Sequence, residues 1–298
     1  MNYKITHNTT YQYSSPVRVC HNYVMLTPRE DFPVQCHSYR LVIRPTPQVA
    51  GRRKDAFGNT VHSFSIEENH RQLSVTATSR VTVSSWELPE FSTSPAWETV
   101  QQRVARQADQ NWLEACQFTF DSPRIRRSAE FLEFASQSFV PGRPILVAGL
   151  DLNTRIHEHF QYDSGVTGVS TSPEEAFRLR QGVCQDFAHV QVACLRSLGL
   201  PARYVSGYLR TIPPPGRPRL VGADQSHAWI ALYCGETWGW IAFDPTNNCL
   251  CGTDHIPIAW GRDYSDVAPI RGVFLGGGEH QLQVAVDVIP LEESVSDN

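Results

Sequence analysis

The sequence predicts an α+β protein. An antiparallel β-sandwich-like domain is expected over residues 1–90 and a mixed core over 96–290, with a flexible tail over 291–298. Three observations carry this expectation. Apolar and polar residues alternate through the first third of the chain, in segments rich in Val, Ile, Thr and Tyr. Helical spacing replaces that alternation at residue 96. Strand-like alternation returns after residue 200, and helices followed by antiparallel strands make the α+β order.

In chain order, "YKITHNTTYQYS", "SYRLVIRP", "TVHSFSIEE" and "QLSVTATSRVTVS" read as strands. "SSPV", "RPTP", "DAFGN" and "EENH" read as the turns between them, with Gly58 and Asn59 expected at positive φ. The Pro-containing "WELPEFSTSP" (86–95) reads as a linker. "AWETVQQRVARQADQNWLEA", "RIRRSAEFLEFASQSF" and "LDLNTRIHEHFQY" follow with helical spacing. "TSPEEAFRLRQG" has a helix start at Ser172–Pro173, with two acids behind it, and a stop at Gly182. A helix near 184–198 should bury Phe187, Val190, Cys194 and Leu198, and end at Gly199. "ARYVSGYL", "HAWIALYC", "GWIAFDPT" and "QLQVAVDVI" read as strands, and "IPPPGRPR" as a stiff surface loop.

With 298 residues the chain has room for two domains. A net charge of −4 and the lack of a long Lys/Arg run argue against a dedicated nucleic-acid binder. The N-terminus has no apolar h-region and no apolar run approaches membrane-spanning length, so a cytoplasmic protein is expected. The eight cysteines are scattered without a C-x-x-C. "CLC" at 249–251 and the H-x-H of His157 and His159 are the only metal-like pairs, and no metal or cofactor is expected.

Cys184 is the residue with a choice to make. A free cysteine packs well in a core, yet at a helix N-terminus the dipole favours the thiolate. "SHAWIALYCGETWGWIAFDPT" (226–246) reads as two strands around a turn, with His227 and Asp244 equidistant from the Gly235/Glu236 midpoint. A tight turn there sets them opposite each other, so the carboxylate orients the imidazole. A helix bearing Cys184, laid against that sheet, completes a nucleophile, a base and an orienting acid. The Cys184 backbone N–H, free at the helix start, points at a developing oxyanion.

"GVCQDFA", "SHAWIAL" and "WIAFDPT" resemble the three catalytic blocks of the transglutaminase-like superfamily, in the same order. The β-rich start resembles the N-terminal domain of the bacterial members, and "HIPIAWGRDYSDVAPIRGVFLGGG" resembles the segment that follows their Asp block. The resemblance implies a papain-related core with Cys184 as nucleophile, His227 as general base and acid, and Asp244 as orienting carboxylate.

Around that set, Asp186 belongs to the family's Gly-x-Cys-x-Asp pattern and is expected to support the first turn of the helix. By strand periodicity Trp229 and Trp240 share a face with their catalytic neighbours, and either wall the cleft or fill the core. Tyr162 resembles an upstream aromatic of related proteins and is expected to line the cleft or donate to the oxyanion, or simply to pack at the helix end. Asp263, Tyr264 and Asp266 are candidates to border the cleft.

The implied chemistry is acyl transfer through a thioester on a peptide or carboxamide. Water as acceptor gives a protease, isopeptidase or amidase. An amine gives a protein-glutamine γ-glutamyltransferase. Hydrolysis is the expectation, since the bacterial family it resembles looks more like peptidases than crosslinkers and no acidic loop resembles the calcium sites of animal crosslinking enzymes; a glycan-removing amidase is a further family possibility, but its paired-cysteine zinc motif is missing. A non-catalytic binding scaffold is the alternative class. Beyond a peptide or protein substrate, partners are expected only through the N-terminal β-domain.

Overall fold

A computed structural model describes residues 1–106, 110–211 and 225–291. The first part holds β1 (Asn2–Val24), β2 (Val34–Arg44), β3 (Val49–Lys54), β4 (Thr60–Ile66) and β5 (His70–Val83). The helical part holds α1 (Trp97–Arg106), α2 (Gln110–Cys116), α3 (Ala129–Ser136) and α4 (Ile145–His159). There follow β6 (Gln161–Tyr162), α5 (Pro173–Leu179), β7 (Gln181–Gly182) and α6 (Cys184–Ser197). The chain continues through β8 (Ala202–Leu209), β9 (Gln225–Tyr233), β10 (Trp240–Asp244), β11 (Cys249–Leu250) and β12 (His255–Gly261). It closes with α7 (Tyr264–Val267), β13 (Ile270–Gly276) and β14 (His280–Leu291). No helix among the described residues is long and apolar enough to cross a membrane. The loop "IPPPGRPR" and most of the expected tail lie outside the described residues.

The 23-residue β1 organises the first sheet. Its first half pairs with β5 on one side and β14 on the other. Its second half pairs with β4 and β13. "SSPV" is therefore no turn: the strand runs through it, and its registers shift between Gln12 and Val19. That irregularity bends β1, and the two halves of the sheet face each other across Phe64, Ile66, Leu73 and Val75. Tyr39 of β2 stacks on His62 of β4 at 5.4 Å, although these strands share no ladder. Gly58 takes a positive φ of 78°, as its turn requires, whereas Asn59 does not. Asn59 is fully buried instead, donating to the Trp260 carbonyl and accepting from the Trp260 N–H.

The second sheet runs β11-β10-β9-β8-β12, all antiparallel. Helix α6 packs on it, and Phe187, Val190, Cys194 and Leu198 are buried there with Ile230, Leu232 and Phe243. The two sheets meet through Tyr3, Ile5, Val286 and Val288 against Tyr208, Ile256 and Ile258.

The core boundary at residue 290 needs correction. Strands β13 and β14 hydrogen-bond to β1, so 270–291 belong to the N-terminal sheet. Local alternation identifies a strand but carries no mark of a partner at the other end of the chain. α5 ends at Arg180 in the left-handed region (φ 54°), two residues before the expected Gly182.

Candidate active site

The site is built on the first turn of α6. Asp186 Oδ2 accepts from the Val183 N–H at 2.8 Å and from Thr167 Oγ1 at 2.7 Å. This closes the helix start, where backbone donors lack partners. The carboxylate is 1% exposed, and burial lifts its pKa against those two hydrogen bonds. A Cβ on Gly182 would stand 2.5 Å from Asp186 Oδ2, so glycine is required there. Asp186 thus supports the turn that presents the half-buried Cys184. Strand β6 lies parallel to β7, with Tyr162 beside Gly182 and the Asp163 N–H donating to the Gly182 carbonyl at 2.9 Å. Tyr162 reaches the neighbourhood of the thiol: burial, then the Cys184 charge, raise its pKa.

His227 and Asp244 meet as expected but not in the expected register. The β9–β10 hairpin sets Trp240 opposite Tyr233 and Phe243 opposite Ile230, which centres the turn on Glu236/Thr237. His227 and Asp244 are therefore diagonal neighbours. A two-residue offset keeps both side chains on one face, and His227 Nε2 lies 2.7 Å from Asp244 Oδ2. This leaves Nδ1 to face the thiol. Burial opposes charge on His227, but hydrogen bonds to Asp244 and Cys184 outweigh it and push the pKa up to about 10.

Asp244 is fully buried and accepts five hydrogen bonds. Oδ1 takes the Thr246 and Asn247 N–H groups at 2.9 and 3.1 Å. Oδ2 takes Asn247 Nδ2 at 2.7 Å, His227 Nε2 at 2.7 Å and His255 Nε2 at 3.0 Å. Burial alone would raise its pKa, but the two imidazoles and Asn247 hold it far below the ordinary carboxylate range. Asn153 of α4 donates to the Asp244 carbonyl at 3.2 Å and fixes the backbone as well.

His227, Asp244 and His255 bring three ligand-type atoms within 4.8 Å of one another. The hydrogen bonds oppose a metal-binding reading. His255 Nδ1 accepts from the Gly252 N–H at 3.3 Å, so Nε2 carries the proton and donates to Asp244. A metal on Nε2 would need the other tautomer, which the Gly252 N–H disfavours. His157 and His159 diverge to the carbonyls of Thr246 and Arg155.

Comparison with known proteins places this arrangement in a family. Residues 3–82 match the bacterial transglutaminase-like N-terminal region, and residues 144–245 match the transglutaminase-like superfamily core. An uncharacterized protein of Mycobacterium tuberculosis is 39% identical over 297 residues, spanning 97% of this chain and 93% of its own. The chain belongs to the transglutaminase-like superfamily. A protein-glutamine gamma-glutamyltransferase of Pseudomonas aeruginosa is 34% identical over 128 residues, 42% of this chain and 18% of that protein. A solved structure from Cytophaga hutchinsonii, provisionally described as a cysteine protease, shares the fold with a TM-score of 0.74. It is 24% identical and covers 99% of this chain and 92% of its own.

In this transglutaminase-like chain, Cys184 and His227 open onto a cleft of about 650 Å³, together with Gln185, Tyr204 and Tyr264. The two tryptophans do not line it. Trp229 is 2% exposed and packs beside the two imidazoles, 6.0 Å from the His227 ring and 5.3 Å from the His255 ring. Trp240 packs against Phe118 and under the Arg203 guanidinium. Strand periodicity gave their face correctly, but there they pack with Val205, Ala231 and Cys251, away from the cleft. Of the 263–266 loop only Tyr264 borders the cleft: Asp263 accepts the Arg124 and Ser265 N–H groups, and Asp266 pairs with Arg262.

His255, Asn247 and Asn153 are the contributors that pattern reading missed. Asn247 directly follows the "FDPT" block, and the tight turn after Asp244 was a usable signal for it. His255, after Asp254 at the head of a strand, and Asn153, within "DLNTR", belong to no recognisable block and carried no signal.

Proposed function

We propose that this protein is a cysteine-dependent acyl-transfer enzyme that hydrolyses a peptide or carboxamide bond through a thioester. The observation that carries the reading is the 2.7 Å contact between Asp244 and the ring of His227, whose raised pKa makes the imidazolium the resting form beside Cys184 at neutral pH. The thiolate attacks the carbonyl carbon, and the oxyanion forms near the unpaired N–H groups of the α6 start. His227 passes its proton to the leaving amine as the C–N bond breaks. Water then attacks the thioester, His227 takes its proton, and the acid leaves as the thiolate returns.

The placement of Trp229 and Trp240 supports water as the acceptor. Neither indole lines the cleft that holds Cys184: Trp229 is buried against the rings of His227 and His255 and Trp240 packs on Phe118, so neither shields the thioester. The likeness to the Pseudomonas aeruginosa gamma-glutamyltransferase favours a second reading, in which a primary amine takes the acyl group. Mass spectrometry of a peptide library, incubated with and without a primary amine, separates the two. Cleavage or deamidation in buffer alone is the expected result. Product formed only when amine is present, as amine adducts, would establish the transferase.

A further inference from the structure

The N-terminal sheet supplies one wall of the cleft. Three cross-strand pairs of β1 and β14 face into it: His7 with Val286, Thr9 with Val284 and Tyr11 with Leu282. Leu282 and Val284 remain 54% and 50% exposed there, although both are aliphatic. The polar groups at its base are already engaged and neutral. His7 Nδ1 lies 2.9 Å from the Tyr208 hydroxyl and Nε2 2.8 Å from Thr9 Oγ1, so both ring nitrogens are engaged. Among the described lining residues there is no Asp, Glu, Lys or Arg.

We infer that the acyl donor is an uncharged polypeptide segment whose aliphatic side chains lie against the β1/β14 face, so that the N-terminal sheet sets the substrate class. The inference rests on the acyl-transfer reading of Cys184. Rows on one face of a sheet repeat every two residues, roughly 6.8 Å apart, which is also the spacing of same-side residues in an extended peptide. An aliphatic side chain seated there removes Leu282 and Val284 from water. An ammonium or carboxylate seated there loses hydration and finds no opposite charge. The wall thus discriminates by repelling charge as well as by attracting apolar surface.

The test uses Cys184→Ala protein and fluorescent peptides of one length with a central glutamine. Their flanks are Val/Leu, Glu or Lys, and binding is read by anisotropy. The aliphatic peptide should bind at least about tenfold more tightly than either charged one, the scale expected for burying one such side chain. Adding Leu282→Glu and Val284→Glu should remove that preference and favour the Lys peptide. The milder pair Leu282→Asn and Val284→Thr should weaken aliphatic binding alone. An unchanged far-ultraviolet spectrum and melting temperature of each pair certifies the fold. Equal binding of the three peptides, tighter binding of a charged one, or no aliphatic binding below millimolar concentration overturns the inference. Selective binding with no turnover by the wild-type enzyme overturns the acyl-transfer reading and leaves the surface assigned. Turnover of charged peptides as fast as aliphatic ones does the reverse.

Discussion

Two imidazoles converge on one oxygen of Asp244, and only His227 faces the thiol. In the proposed mechanism His255 acts through Asp244, as a positioning residue. His255→Ala should lower kcat about tenfold with KM unchanged, because a buried acceptor loses a donor and the carboxylate loses its fixed direction. His255→Gln, which restores a donor of similar reach, should recover most of that loss; an equal loss in both variants, or a change confined to KM, would refute the positioning role. Cys184→Ala should abolish turnover with little change in stability, since the side chain is only half-buried. Cys194 is the control: it is fully buried, with its pKa driven up by burial, and should resist mild alkylation of the native protein. Labelling of Cys194 as fast as Cys184 would remove the basis for a selective nucleophile. Cys184, His227 and Asp244 were legible because each lies in a short block with its own pattern, and the blocks keep one order. His255 was not, because a lone histidine at the head of a strand looks the same whether it orients a carboxylate or merely packs.

At the scale of the element, the first turn of α6 is a device for holding a thiol at a fixed place. Gly182→Ala would drive a methyl into Asp186, with contacts of 2.5 to 2.9 Å to its carboxylate and Cβ. Either Asp186 moves and the cap is lost, or the turn shifts. The expected cost is about 1–3 kcal/mol in urea unfolding, with slower alkylation of Cys184. An unchanged urea midpoint with an unchanged alkylation rate would show that the turn tolerates a side chain. Helix α6 and strand β8 were legible almost to the residue, because apolar periodicity, Gly199 and Pro201 all agree. Strand β3 was not, since all six of its residues are exposed and no alternation marks them. The β9–β10 register was off by two because the chain "CGETWG" does not fix where its turn is centred, although the face was right. Arg196 also escaped notice. It is buried, and its guanidinium donates to the carbonyls of Ala202, Arg262 and Phe120, tying the end of α6 to the sheet.

On the scale of the whole molecule, the chain's two ends close one sheet, so the N-terminal part cannot be complete without residues 270–291. A chain ending at Ala268 should be insoluble or unfolded, because it leaves both halves of β1 without one neighbour and exposes the apolar contact between the sheets. A soluble truncated protein with an unchanged melting temperature would contradict this. The pH dependence of stability follows from the buried histidines. Burial pushes the pKa of His7 down to about 4 and lowers those of His62 and His189, so all three fold neutral. The stability they contribute is present above the unfolded histidine pKa, about 6.5, and is lost as pH falls through the folded values. His227 has the opposite sign. Its folded pKa is raised to about 10, so its contribution is full below about 6.5 and declines as pH rises towards 10. Asp244 is depressed and adds a further loss only below about 4. Stability should therefore peak near pH 7. Above about pH 7.5 the neutral histidines add almost no slope, and the buried thiols and tyrosines whose pKa values are raised begin to act only above their ordinary ranges. An ionised Cys184 would release on folding the proton that His227 retains, so the histidine's own contribution is read in Cys184→Ala protein, where the slope between about 7.5 and 8.5 should be negative, at most about −1.4 kcal/mol per pH unit. Chemical denaturation across that interval should show the slope in Cys184→Ala and a nearly flat profile in Cys184→Ala/His227→Gln. A Cys184→Ala profile that is flat or rising there would mean that Asp244 does not hold the imidazolium, and its place as the resting form would have to be abandoned.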